Sequence, residues 1–185
     1  YQYGENGWLW PSATIVLSIG KITSTTKENP FNWARSNAMG RHAEERFLDE
    51  LETEISKHHE VTKIEAKLVQ NYSPCSVCAH ALIEFKKKMQ NKNIDFSLTI
   101  KFANFYRHTL APNKEGLMNL LRNDVKLELL QGKDEWEAFL NYENIELTND
   151  QYTKLLEMAT SEERTNRETN DVKILSVIEF EAIAV

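Results

Sequence analysis

The chain holds two cysteines, Cys75 and Cys78, and both lie in one run, Pro74-Cys75-Ser76-Val77-Cys78. Thiols this close together cannot staple distant segments, so the fold is not a disulfide scaffold and has to rest on an apolar core. With 185 residues, 41% of them apolar, one core of ordinary size can form, and a single domain over residues 1–185 is expected. The run follows Val61 to Gln70, where Ile64, Ala66 and Leu68 alternate with polar neighbours as in a half-buried strand, and then the turn Asn71-Tyr72-Ser73-Pro74. Cys75 opens a helix whose apolar stripe is Cys78, Ala79, Leu82 and Phe85, with Lys86, Lys87 and Lys88 on its far face. The thiols thus sit where a strand gives way to a helix N-terminus, and its partial positive charge favours thiolate.

The rest of the chain reads as an alternation of strands and helices. Ala13 to Ile22 is strand-like, with Gly20 as a bulge or bend, and Thr23 to Gly40 is a loop that has room for a second strand. His42 to His58 places Phe47, Leu48, Leu51 and Ile55 at helical spacing. Phe96 to Phe105 is a strand, Tyr106 to Lys114 a loop, Lys114 to Arg122 a helix and Val125 to Leu130 a strand. A helical crossover makes the strands that it joins parallel neighbours, where a tight hairpin would make them antiparallel. Asp134 to Tyr142 and Thr148 to Arg164 read as two more helices, the second offering Leu155, Leu156 and Met158 to the core. The tail, Val172 to Val185, is apolar and β-branched and fits a strand or a packed helix equally.

His42-Ala43-Glu44, at the start of one predicted helix, complements the cysteine run at the start of another. One imidazole and two thiolates are ligands that Zn²⁺ prefers, and three protein ligands leave the fourth tetrahedral position open for water. An open position points to one catalytic zinc, which brings the pKa of its water toward neutrality. Glu44, two residues past His42, can face the same cavity as a proton shuttle. The rival readings are a thioredoxin-like redox pair at Cys75 and Cys78, and a structural zinc site. The latter needs a fourth ligand, and His80 lies too near Cys78, on the helix surface, to serve. Glu45 reads as an ordinary solvated helix acid.

His42-Ala43-Glu44 together with Pro74-Cys75-Ser76-Val77-Cys78 is similar to the signature of the zinc nucleobase deaminases. From about Ser36 to Arg164 the chain resembles the AID/APOBEC branch of that superfamily. The resemblance lies in Ser36-Asn37 through Gly40, Tyr72-Ser73-Pro74-Cys75, Phe102-Ala103-Asn104-Phe105-Tyr106 and Glu115-Gly116-Leu117. It implies an α/β cytidine-deaminase-like fold: a central mixed five-stranded sheet flanked by helices, its last two strands parallel. It also implies hydrolytic conversion of cytosine to uracil, with Glu44 passing a proton from water to the ring nitrogen and then to the departing amine. Substrate contacts carried over are Asn37 on the sugar of the target nucleotide, Tyr106 against the flipped cytosine, Tyr72 stacking at the pocket wall, and Ala43 and Ser73 as further substrate-binding residues. The family usually has tryptophan in place of Tyr72 and arginine in place of Asn104. The gap between the two half-motifs is also longer here, and an extended loop around His58, His59 and Glu60 absorbs it.

The formal charge of −6 gives a polynucleotide no global attraction, so binding of single-stranded DNA or RNA has to rest on a local patch. Arg35, Arg41, Arg107, His108 and Lys114 are the candidate phosphate contacts. No apolar run approaches the roughly 20 residues that span a bilayer; the longest is Ala13 to Ile19, and no membrane partner is expected. The chain starts at Tyr1, which is compatible with a removed leader; a cytoplasmic or nuclear place is the expectation, with secretion and the oligomeric state open. Two rivals to the polynucleotide reading are a free cytidine or deoxycytidine deaminase and a catalytically silent zinc-containing module that binds nucleic acid. The inferred helix between Tyr106 and Val125 argues against the first, and Glu44 against the second. Adenosine deamination on RNA shares the metal chemistry, and Asn37 and Tyr106 disfavour it.

Overall fold

A computed structural model describes residues 14–142 and 147–184. Ala13 of the first predicted strand and Val185 of the tail lie outside the described residues. Strand β1 (Ile15–Ser24) pairs antiparallel with β2 (Glu28–Ser36) on one side and with β3 (Val61–Tyr72) on the other. Helix α1 (Ala43–Ser56) joins β2 to β3, and α2 (Ser76–Asn91) crosses from β3 to β4 (Asp95–Asn104), which pairs parallel with β3. A second crossover, α3 (Ala111–Arg122), leads to β5 (Lys126–Leu129), parallel to β4. The five strands lie in the order β2-β1-β3-β4-β5, the mixed α/β sheet of the cytidine-deaminase-like fold. Helices α4 (Lys133–Leu140), α5 (Asn149–Ala159) and α6 (Glu162–Ile183) complete the chain.

Successive strand residues point to opposite faces of the sheet, and both faces here are covered. On one face Val16, Ile64, Leu68, Ile100 and Phe102 pack with Phe47 and Leu51 of α1, Leu82 of α2, Leu117 of α3 and Ile178 of α6. On the other, Leu17 and Ala103 meet Trp136 and Phe139 of α4 and Leu155 of α5. No helix among the described residues is long and apolar enough to cross a membrane.

Several expectations are corrected. Gly20 is no bulge: it stays in register with Phe31 and Ala66, and a Cβ there would lie 2.0 Å from the Glu65 carbonyl oxygen and 2.6 Å from Phe31 Cζ, so glycine serves close approach. The irregularity falls at Thr23/Ser24 instead. Asn71 and Tyr72 extend β3 rather than forming a turn, because Tyr72 still pairs with Asn104. Lys86 is buried, its Nζ donating to the Asp124 carbonyl at the end of α3 at 3.2 Å; only Lys87 and Lys88 face outward. The predicted Thr148–Arg164 helix breaks after Ala159, since Ser161 caps a new helix by accepting the Arg164 N–H at 3.1 Å. Leu155 of that segment is buried, whereas Met158 is only partly so. The tail is helical: Leu175, Ile178 and Ala182 form its inner stripe, and its β-branched Val172, Val177 and Ile183 lie on the exposed side.

Candidate active site

The two half-motifs become two helix N-termini at the C-terminal end of the parallel strands, the end where open α/β sheets bind ligands. His42 is the N-cap of α1 and Cys75 the N-cap of α2. The loop before α1 turns through Met39 and Gly40 at positive φ, 52° and 73°, and closes with paired Ala38–Arg41 backbone bonds of 3.0 Å. That turn delivers His42 to the cysteines. His42 Nδ1 lies 3.1 Å from Cys78 Sγ and 3.5 Å from Cys75 Sγ, and all three donor atoms lie within 4.8 Å of one another. Ligands of one tetrahedral ion with bond lengths of about 2.0–2.3 Å stand roughly 3.5 Å apart. The trio therefore fits three corners of a metal site.

The electrostatics match this use. Cys75 is pushed down to about 5 by the Cys78 thiol hydrogen-bonding to it and by backbone N–H groups of the α2 N-terminus. Cys78 moves in the opposite sense because it keeps the shared proton beside the Cys75 thiolate and is buried. The three donor atoms, within 4.8 Å of one another, leave a place that a cation can take.

Glu44 projects from the first turn of α1 into the interior and is 2% exposed. Its Oε2 lies 3.6 Å from Cys78 Sγ, and its Oε1 accepts from Gln70 Nε2 at 3.3 Å. Burial pushes its carboxyl up to about 7. A carboxyl poised near neutrality beside the His42, Cys75 and Cys78 trio is suited to take and return a proton. Glu45, by contrast, accepts the His42 backbone N–H at 2.9 Å and acts as a cap.

The predicted substrate residues gather around this centre. Asn37 Oδ1 accepts the Ala43 N–H at 2.9 Å, which ties the asparagine to the start of α1; Ala43 itself is fully buried. Tyr72 and Tyr106 stand edge to face with ring centroids 6.4 Å apart, and Ser73 Oγ accepts the Tyr106 N–H at 2.8 Å. The candidate phosphate contacts divide. Arg35 pairs with Glu50, Arg41 with Asp49 at 2.6 Å, and Lys114 with Glu181 at 2.5 Å. Arg107 is exposed at φ 43° and lies over the Tyr106 ring at 5.6 Å. His108 packs on Phe105 at 5.1 Å, and burial lowers its pKa.

Three polar residues escaped the sequence reading. Gln70 is fully buried and also donates to the Tyr72 carbonyl at 2.6 Å. Its signal was available: it continues the inward alternation of Ile64, Ala66 and Leu68, so a polar side chain was due to enter the interior. Asn71 accepts the Ile15 N–H at 2.8 Å. Asn113 accepts the Ser76 N–H at 3.0 Å between the two cysteines and donates to the Tyr106 carbonyl at 3.3 Å. Nothing in sequence spacing announces these last two, since their partners are remote. Gly116 belongs with them, because a Cβ there would stand 3.1 Å from Ala79 Cβ and 3.2 Å from Ser76 Cα, so glycine lets α3 press on the first turn of α2.

Comparison with known proteins gives the same direction. The profile of a family described as invertebrate AID/APOBEC deaminase matches residues 2–177. The rat C->U-editing enzyme APOBEC-1 is 25% identical over 129 residues, which are 60% of this chain and 51% of the relative. The human DNA dC->dU-editing enzyme APOBEC-3H is 26% identical over 160 residues, 85% of this chain and 76% of the relative. The matched part of the chain spans about half the length of the APOBEC-1 relatives.

Proposed function

The chain belongs to the invertebrate AID/APOBEC deaminase family, and from that premise we propose that it hydrolyses cytosine to uracil in single-stranded polynucleotide, DNA or RNA, with one catalytic zinc. The observation that carries this reading is the buried Glu44 carboxyl 3.6 Å from a sulfur of the His42, Cys75 and Cys78 trio. The donor set suits zinc, and His42, Cys75 and Cys78 are the residues that would hold it. When bound, zinc supplies a water acidic enough to react near neutral pH.

Glu44 moves the protons. Its carboxylate accepts one from the attacking water, delivers it to the ring nitrogen of cytosine, and carries the next to the amino group that leaves as ammonia. Gln70 keeps the carboxyl aimed by donating to Oε1. Tyr106 and Tyr72 offer π-faces to the base, and Asn37 keeps its amide N–H donors for the sugar while its oxygen is spent on Ala43. Arg107, exposed beside Tyr106, is the cation best placed for a phosphate. The names of the relatives, one editing C to U and one dC to dU in DNA, support a polymer substrate.

Purified protein is offered single-stranded DNA, single-stranded RNA and free cytidine side by side, with metal content measured. Uracil in an oligonucleotide is the expected product. Turnover of cytidine alone would move the assignment to a nucleoside enzyme, and metal without turnover would leave a binding module. Glu44→Ala is expected to retain zinc and lose about 10²–10⁴-fold in rate; sustained turnover in that variant removes the shuttle role.

A further inference from the structure

Arg164, on α6, is 4% exposed, and its guanidinium is spent on the C-terminal end of β4. Nη1 donates to Asn104 Oδ1 at 2.8 Å and Nη2 to the Ala103 carbonyl at 2.7 Å. Glu168, one turn further along α6, accepts from Nε at 3.1 Å and also takes the Trp136 indole N–H at 3.3 Å. A cation is kept this deep only when its donors are matched, so the matching groups are held in turn.

Those groups lead into the pocket wall. Asn104 Nδ2 donates to the Asn71 carbonyl at 3.0 Å, and the Asn104 carbonyl accepts the Ser73 N–H at 2.8 Å. Ser73 Oγ accepts the Tyr106 N–H, and Asn113 links the Tyr106 carbonyl to Ser76 at the head of α2. One hydrogen-bonded line thus runs from α6 across the ends of β4 and β3 to the first turn of the cysteine helix. Arg164 enters it from 60 residues beyond Asn104.

We infer that Arg164 is a positioning residue: acting through Asn104, it fixes the ends of β3 and β4 against each other and so aims Tyr72 and Tyr106 at the substrate base. Its action on substrate rests on the deaminase reading above; its action on the strand ends rests on the hydrogen bonds alone. A merely structural Arg164 would pin α6 to the sheet, and its loss would loosen the whole fold evenly. A positioning Arg164 loosens the wall alone.

The test compares the zinc-loaded wild-type chain, Arg164→Met, Asn104→Leu and the double variant by amide exchange and by oligonucleotide kinetics. In Arg164→Met, exchange is expected to quicken in segments 71–76 and 103–108 while β1 and α1 keep their wild-type rates. KM should rise about tenfold with kcat within about threefold, and the double variant should lose no more than the worse single one. Evenly faster exchange, unchanged exchange at the wall, or additive kinetic losses would each overturn the inference. If Arg164→Met fails to fold, Arg164→Lys takes its place with the same expectations, since an ammonium keeps the charge but cannot serve two acceptors as a fork does. Wild type without turnover would sink the deaminase reading, and the exchange measurement would still decide the role of Arg164 at the strand ends.

Discussion

The candidate site has two halves built in different ways. The half that could hold a metal consists of two short motifs, each seated on the N-terminus of its own helix, so the chemistry proposed for His42, Glu44, Cys75 and Cys78 is written in adjacent residues. The wall, Tyr72, Ser73 and Tyr106, depends on the Asn71 carbonyl beside it on β3 and on the buried side chains of Asn104, Asn113 and Arg164, which reach it from other elements. The motif half needs only that two helix starts meet. The wall needs five elements held in register, because a buried amide left without its partner costs about 1–3 kcal/mol. Perturbations of the first half should therefore act on metal and chemistry, and perturbations of the second on substrate placement and stability.

The comparison breaks most sharply at a ligand. Cys78→Ser should release the metal and abolish turnover, while the thermal melt keeps its cooperativity, because the apolar core on the sheet does not use the sulfur's charge. Metal analysis with a melt checks this; full zinc occupancy would show that the trio is not the site. A middle-sized effect is expected at the joint between the halves. Asn113→Ala leaves the Ser76 N–H and the Tyr106 carbonyl without their side-chain partner. It should cost about 1–3 kcal/mol in denaturant unfolding and lower kcat/KM roughly tenfold with metal retained. No loss in either would separate the wall from the cysteine helix. The smallest effect sharpens the rim. Arg107→Ala should flatten the salt dependence of oligonucleotide binding by about one unit of slope, whereas Arg41→Ala, already paired with Asp49, should leave it nearly unchanged. Equal slopes for the two variants would mean that ion pairing does not decide which cations reach phosphate.

Much of the fold was legible in the chain. The alternation of Ile64, Ala66 and Leu68, the helical spacing of Phe47, Leu48 and Leu51, and the helical crossover after Tyr106 gave the strands, the helices and the parallel end of the sheet. What escaped was decided by neighbours. Lys86 looks like a surface lysine until the end of α3 offers its Nζ a carbonyl. Gly20 looks like a bend until Glu65 and Phe31 crowd it. The tail was ambiguous because its β-branched residues suit a strand, yet in the helix they divide: Val172, Val177 and Ile183 lie on the outer side, while Ile178 joins Leu175 and Ala182 in the inner stripe. Five candidate phosphate residues looked alike as charges, and only their carboxylate partners separated Arg107 from Arg35, Arg41 and Lys114.

The sequence by itself determined the candidate ligand types, their place at two helix starts, the acid beside them and the family, since each is carried by contiguous residues whose local geometry follows from propensity and capping. The convergence of His42 on the two sulfurs, the entry of Gln70 beside Glu44, and the line from Arg164 to Ser76 were decided only by the tertiary structure. Each of these joins groups far apart in the chain, where hydrogen-bond partners are chosen by burial and by the register of neighbouring strands rather than by spacing.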